Sequence, residues 1–242
     1  MFDLKKLKDD THYYGAYGKQ YLSNSDISTL LTCPTAYGKD KDQTKPMLIG
    51  RFLHTHILEP NKVKNFEVID VASRNTKAYK EALENSEENM LLLQKEVVEV
   101  EALVKVIKGN LSFYEALYNE GNSYEVPAVQ EILGELWKGK ADIVGEDILI
   151  DIKTTSSLVD FKWSARKYNY DSQCYIYQCL FDKPLVFYVI DKVTHQLGIF
   201  HPSQEFIMRG RDKVMEAIEV YRKYFKEDSV EDIDLYIHNE IL

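Results

Sequence analysis

Asp142 and Asp151 stand on either side of the turn signal Gly145-Glu146-Asp147, and Lys153 follows two residues after the second aspartate. This stretch, Lys138 to Thr155, reads as a β-hairpin. Successive strand side chains point to opposite faces, so Asp151 and Lys153 share one face, while Ile148, Ile150 and Ile152 share the other. A two-residue turn at Glu146-Asp147 sets Asp142 directly across from Asp151. A turn at Gly145-Glu146 sets it across from Leu149, one pleat away on the same face. A three-residue turn sends it to the wrong face, so the chemistry needs an even register. Two carboxylates on facing strands repel, and a hard divalent cation such as Mg²⁺ or Mn²⁺ between them reverses the sign. With Lys153 beside it, such an ion could lower the pKa of its water and neutralise charge developing on a phosphodiester. An isolated aspartate two residues before a lysine is more often a plain salt bridge, so the rest of the chain has to decide.

The elements around the hairpin supply that context. Met47 to Glu59 reads as a helix that ends before Pro60. Gly50 and His54 lie one turn apart on one of its faces. A glycine inside a helix costs about 1 kcal/mol relative to alanine, which suggests close approach of another backbone or a ligand beside His54; the bland alternative is a hydrogen-bonded core histidine. Ser123 to Leu133 reads as a strand that pairs with the hairpin and brings Glu125 or Glu131 toward the acidic site, with a solvent-facing glutamate as the bland alternative. Asp160 to Phe181 reads as the next helix, in which Tyr170, Gln173 and Tyr177 share a face that could stack a base or hold a phosphate.

The remaining pattern sets the architecture. Residues 1–20 show no period and read as a loose arm. Tyr21 to Pro34 contains a short helix capped by Ser23 or Ser25, with Ile27, Leu30 and Leu31 inward. Lys77 to about Tyr118 reads as a long helical region broken at Gly109-Asn110, with apolar positions from Met90 to Ile107 at helical spacing. Leu185 to Ile190 is a buried strand, His195 to His201 its antiparallel neighbour, and Ser203 to Phe225 a terminal helix capped by Ser203. Helices, three strands, a helix, two strands and a helix predict an α/β (α+β) fold, a central mixed sheet flanked by helices.

Composition narrows the class. At 242 residues and 45% hydrophobic content, the chain fits one large domain with a real core. No run approaches a membrane span and the N-terminus lacks the apolar stretch of a signal peptide, so no membrane is expected and the cytoplasm of a cell or of an infected host is. Cys33, Cys174 and Cys179 form no ligand set for zinc or an iron–sulfur cluster and read as reduced, mostly buried thiols. The net charge of -9 argues mildly against nucleic acid. Its distribution leaves room for a basic groove on an acidic body, because Lys138, Lys140, Lys153, Lys162, Arg166 and Lys167 gather near and after the hairpin.

Four ordered blocks carry a family resemblance. Ser25-Asp-Ile-Ser-Thr-Leu-Leu-Thr-Cys-Pro-Thr-Ala-Tyr37, Gly50-x-x-x-His54 followed by Leu58-Glu59-Pro60, Asp142 with Asp151-Ile152-Lys153-Thr154-Thr155, and Gln173-x-x-x-Tyr177 together resemble the PD-(D/E)xK nuclease superfamily, and within it the RecE/exonuclease VIII-like and RecB-like exonucleases. Ala141 stands where the superfamily name has proline. The resemblance implies a single nuclease domain over 1–242, with a loose arm at 1–20, a helical region at 21–120, a catalytic sheet core at 121–202 and a C-terminal helix with an acidic tail at 203–242. It implies a stand-alone Mg²⁺- or Mn²⁺-dependent deoxyribonuclease. Asp142 and Asp151 would bind the metal with the Ile152 carbonyl, and Lys153 would position the attacking water. His54 would serve as metal ligand or phosphate contact, Glu125 as an upstream acidic ligand, and Gln173 and Tyr177, extended by Tyr170, would hold the DNA. A 5′→3′ exonuclease on double-stranded ends, working in recombination beside a single-strand annealing protein and as a homo-oligomeric ring, is the form the RecE-like members suggest. An endonuclease or single-strand nuclease on the same core, or a non-catalytic DNA-binding protein, are the competing forms.

Overall fold

Three short helices open the chain: α1 (Leu4–Leu7), α2 (Asp10–Tyr14) and α3 (Ala16–Lys19). They lead into α4 (Asn24–Thr32) and α5 (Lys45–Leu58). A small parallel pair, β1 (Val68–Ile69) and β2 (Leu92–Leu93), brackets α6 (Lys77–Glu84). Next come α7 (Gln94–Gly109) and α8 (Leu111–Leu117), then the strands β3 (Ser123–Ile132), β4 (Glu135–Val144) and β5 (Leu149–Thr155). Helices α9 (Phe161–Lys167) and α10 (Tyr170–Phe181) connect to β6 (Leu185–Asp191) and β7 (Leu197–Phe200), and α11 (Gln204–Tyr224) follows. The computed structural model describes residues 2–40, 42–229, 231–237 and 239. Met1 of the expected arm, and Val230, His238, Glu240, Ile241 and Leu242 of the expected tail, lie outside them.

The central sheet has the order β3-β4-β5-β6-β7 and is mixed: β5 and β6 run parallel, and the other neighbours are antiparallel. The parallel pair needs a crossover, which α9 and α10 supply. Strand β6 is buried along its whole length, as expected for a central strand written as the continuous apolar run LVFYVI. One sheet face packs on α4, α10 and α11 through Trp137, Ala141, Leu149, Phe187 and Val189. The other packs on α5, α7 and α8 through Ile143, Ile150, Ile152, Val186 and Tyr188. Truncating a buried leucine or isoleucine in either layer to alanine should cost about 2–5 kcal/mol.

Several sequence expectations are corrected. Residues 2–20, expected as part of a loose arm, are ordered. Asp3 and Asp9 cap α1 and α2 by accepting from the Lys6 and His12 N–H groups, and Leu7, Tyr13 and Tyr21 form a small core of their own. Lys138 donates to the Tyr13 carbonyl and lies 4.2 Å from its ring, while Lys140 pairs with Asp10. These ties span more than 120 residues, so no local pattern could signal them. Leu92 and Leu93 form a strand rather than a helix, because Tyr79 holds the preceding Leu91 through its hydroxyl. The helix expected over 160–181 is two helices, broken where Asn169 takes a left-handed φ of 56°. Among the cysteines Cys174 is buried, but Cys33 is exposed.

Candidate active site

The hairpin turn fixes the site. The Gly145 N–H donates to the Ile148 carbonyl at 2.9 Å, closing a two-residue turn at Glu146-Asp147. The pairs Val144↔Leu149 and Ile143↔Ile150 continue outward from it. The next rung in this register sets Asp142 across from Asp151, and there the regular ladder stops. The Ile152 N–H donates instead to Asp142 Oδ2 at 2.9 Å. A side chain thus replaces a backbone acceptor, and β4 and β5 part at the two aspartates.

Two helices converge on this fork. From α5, His54 Nδ1 lies 3.3 Å from Asp142 Oδ2. From α10, Gln173 Nε2 donates to Asp151 Oδ1 at 2.6 Å. Asp151 Oδ2 is 2.7 Å from Lys153 Nζ. The third contribution comes from β3, where Glu125 has a φ of 50°, a left-handed value that costs a residue with a Cβ about 1–2 kcal/mol. Glu125 drops out of the otherwise continuous β3–β4 pairing, and its carboxylate joins His54 and Asp142. One ligand atom from each of these three lies within 4.8 Å of the others.

Electrostatics divide the site. At His54 burial alone would push the imidazole down, but the Asp142 carboxylate outweighs it and carries the pKa up to about 9. Burial, reinforced by Asp142 and opposed by Lys140, raises Glu125 to about 7. Burial also works against ionised Asp142, yet His54 more than compensates and its carboxyl lies below the ordinary value. At Asp151 burial wins over Lys153, with Asp142 adding repulsion, and its carboxyl is raised. Desolvation works against the half-buried Lys153 too, but Asp151 holds its ammonium well above the usual value. Lys153 therefore stays cationic near neutral pH and acts as a fixed donor rather than as a neutral base.

The donor set suits a divalent cation. The two carboxylates crowd together at a cost in mutual repulsion, beside an imidazole that can also ligate, and an ion of the Mg²⁺ or Mn²⁺ class relieves that cost. His54, Glu125 and Asp142 would hold it. Asp151 stands outside this trio, with its oxygens committed to Gln173 and Lys153.

Other expected residues fall differently. Glu131 is exposed on β3, opposite Leu136 and far along the strand from Glu125. Gln173 and Tyr177, expected as DNA contacts, are both buried and serve the protein's own atoms. The Tyr177 hydroxyl donates to the Lys140 carbonyl at 3.0 Å and accepts from its N–H at 3.3 Å, pinning β4 to α10. Gly139 lets that helix close in, since a Cβ there would meet Leu180 at 2.6 Å and Tyr177 at 3.0 Å. Tyr170 is half-buried with Lys153 Nζ 4.7 Å from its ring. Sequence reasoning missed Lys140 as a site residue. It bridges Asp10 of α2 and Glu125, the latter at 3.2 Å, and its signals were its place two residues before Asp142 on a strand and its membership of the basic cluster at the hairpin. Among the described residues no helix is long and apolar enough to cross a membrane.

Comparison with known proteins places the arrangement. The crystal structure of "Putative exonuclease" from Eubacterium rectale superposes with a TM-score of 0.65 at 18% identity, over 88% of this chain and 85% of that one. At this identity the likeness speaks for the fold. A second solved structure, SSO0001, aligns with a TM-score of only 0.29 at 18% identity, over 78% of this chain and 83% of that one, and nothing is drawn from it. No curated protein matches. Residues 23–232 match the family described as PDDEXK-like domain of unknown function (DUF3799). That span takes in both carboxylates, the lysine, His54 and the whole central sheet, and the chain belongs to this PDDEXK-like family.

Proposed function

We propose that this protein is a metal-dependent deoxyribonuclease, and that it acts as a 5′→3′ exonuclease on double-stranded DNA ends. The observation that carries the reading is the fork at β4 and β5. A trio of metal-type ligands, His54, Glu125 and Asp142, stands beside the ion pair of buried Asp151 with half-buried Lys153. Membership of a PDDEXK-like family supports the nuclease class. The ordered motif blocks, and the name of the Eubacterium rectale structure, support the exonuclease form. A role in end resection for recombination, with an annealing protein as partner and a ring of subunits around the DNA, is the fullest version of the same reading.

Each side chain then has a task. A bound Mg²⁺ or Mn²⁺ would supply Lewis acidity and a water of lowered pKa. Asp142, Glu125 and His54 would hold the ion, and Asp151 and the Ile152 carbonyl would complete the site. Lys153 keeps its proton, so it orients the attacking water and offsets negative charge gathering on the phosphoryl oxygens. Gln173 holds Asp151 in place through its 2.6 Å hydrogen bond, and Tyr177 keeps β4 in register with α10.

The test is digestion of linear duplex DNA, labelled at one 5′ end, with Mg²⁺ or Mn²⁺ and with chelator. Early release of the labelled 5′ nucleotide, with covalently closed circles left intact, is the expected result. Cutting of closed circles would replace the exonuclease reading with an endonuclease one, and absence of any metal-dependent cleavage would remove the nuclease reading.

A further inference from the structure

Six basic residues cluster in sequence around the hairpin, but the fold uses them in two ways. Lys138 and Lys140 turn inward to the N-terminal helices, and Lys153 is half-buried and paired with Asp151. Lys162, Arg166 and Lys167, all on α9, are exposed, and none takes part in an ion pair among the described residues. Two large aromatic side chains stand among them. Trp163 is 57% exposed and Tyr168 is 58% exposed. The Lys162 ammonium lies 5.2 Å and the Arg166 guanidinium 5.3 Å from the Trp163 ring, and Lys167 lies 5.7 Å from the Tyr168 ring. Tyr168 continues inward to Tyr170, with ring centres 6.2 Å apart and planes 37° apart. Tyr170 in turn meets Lys153. Two linked rings, Tyr168 and Tyr170, thus run from the protein surface to Lys153 of the candidate site, and Trp163 stands with Lys162 and Arg166 on the same helix.

Exposing an indole and a phenol leaves apolar area in water, which folding does not favour. The packing of α9 does not need either ring, since Phe161 and Ala165 make its buried contact. Flat π faces, with cations beside them that no carboxylate among the described residues neutralises, suit a ligand with stacked flat groups and a repeating negative charge, which is single-stranded nucleic acid. Duplex DNA keeps its bases stacked on one another and presents phosphates alone.

We propose that α9 and the turn into α10 form a stacking track for a single-stranded DNA segment, with unpaired bases on Trp163 and Tyr168 and phosphates on Lys162, Arg166 and Lys167, leading past Tyr170 to Lys153. The link to catalysis rests on the nuclease reading above; the binding itself does not. The track makes the substrate near the site an unpaired strand, so a duplex end must open by a few bases to reach Lys153.

The protein carries its own probe. Its two tryptophans are Trp137, which is fully buried, and Trp163. Titrating the full chain in chelator with oligothymidylate should quench the Trp163 emission, and Trp163→Phe should abolish most of that signal. Trp163→Ala with Tyr168→Ala should weaken oligothymidylate binding, followed by anisotropy of a labelled strand, about ten-fold or more. Replacing Lys162, Arg166 and Lys167 by alanine should lower the slope of log affinity against log salt by about 2, at roughly 0.7 per lost phosphate contact. All five side chains are exposed, so thermal melts should match the wild type. Absence of quenching, unchanged affinity in the double aromatic variant, or quenching that follows protein concentration without DNA would overturn the track. Digestion assays on the same proteins separate the two readings: quenching without metal-dependent cleavage keeps the track and removes the nuclease, and cleavage without quenching does the reverse.

Discussion

Asp142 and Asp151 sit across one rung of the same hairpin, and the protein treats them in opposite ways. Asp142 accepts from the Ile152 N–H and faces the His54 imidazole, and its carboxyl is held below the ordinary value. Asp151 faces Lys153 and Gln173 but is more deeply buried, and its carboxyl is raised. One carboxylate is a stable anion turned toward two further metal-type ligands. The other is a strained anion kept in place by a lysine. The difference teaches that identical residues on facing strands are specialised by the helices packed on them. Helix α5 sets His54 against Asp142, and α10 sets Gln173 against Asp151, the partner that keeps Lys153 charged.

The largest effect expected is on catalysis. Asp142→Asn and Asp151→Asn should each reduce metal-dependent digestion on the order of 10³-fold or more, because each removes charge that counts most as the phosphoryl group reacts. The metal-free proteins should differ in stability. Asp142→Asn removes an anion the fold favours and strands His54, so its melting temperature should fall further than that of Asp151→Asn, whose anion the fold already disfavours. Equal falls would break the contrast between the two.

A third buried carboxylate calibrates the other two. Glu96 on α7 has no solvent exposure and meets Arg74 at 2.7 Å through both oxygens, with Lys45 at 3.1 Å and the Leu93 N–H at 3.1 Å. Burial works against it, but Arg74 and the other donors win and lower its pKa to about 2. A depressed folded-state pKa gives stability that is full above the unfolded value near 4.5 and is lost as pH falls toward 2. Glu96→Gln should cost about 3 kcal/mol by denaturant unfolding at pH 7, and much less near pH 2. Cleavage per folded molecule should be unchanged, since Glu96 lies outside the fork. Equal cost at both pH values would show that its charge is not what stabilises.

Metal binding offers a middle-sized effect. Mn²⁺ at about a hundred times its Kd should stabilise the wild type by about 2.7 kcal/mol. Substituting His54 by alanine should reduce that shift and favour Mg²⁺ relative to Mn²⁺, because imidazole suits the softer ion. Gln173→Ala should lower kcat about ten-fold with KM little changed, since it loses a hydrogen bond to a charged group that orients Asp151. A larger rise in KM than fall in kcat would instead make Gln173 a DNA contact.

How much of this was legible in the sequence depended on range. The hairpin followed from turn chemistry and strand alternation, both local, and the even register from what the chemistry needs; whether Asp142 faces Asp151 or Leu149 is decided only by the Gly145 N–H bond to the Ile148 carbonyl, which closes the turn at Glu146-Asp147. The mixed sheet followed from the order of elements. The strand pattern alone does not separate Glu125 from Glu131, and only the family resemblance favours Glu125, because the choice on physical grounds needs the left-handed backbone that swings Glu125 inward. Helical spacing gives Gln173 and Tyr177 a shared face but not its depth, so their burial and their bonds to Asp151 and to the Lys140 backbone needed the fold. The N-terminal helices were invisible, since what orders them is Lys138 and Lys140 on a strand formed far later in the chain.

Gly50 offers the smallest effect and the sharpest sign test. It lies on α5 one turn before His54, and the sequence suggested close approach by a backbone or a ligand. A Cβ built there meets nothing within 4 Å, so no neighbouring group of the protein demands glycine. Helix propensity then predicts that Gly50→Ala stabilises the protein by about 1 kcal/mol. If the open space beside His54 is where substrate enters, the added methyl should cost several-fold in kcat/KM while the melting temperature rises. Stability and activity moving in opposite directions would mean that the α5 side of the fork is shaped by its ligand. Both rising together would leave the approach to α10, along Tyr170 and Lys153, as the route by which DNA reaches the two aspartates.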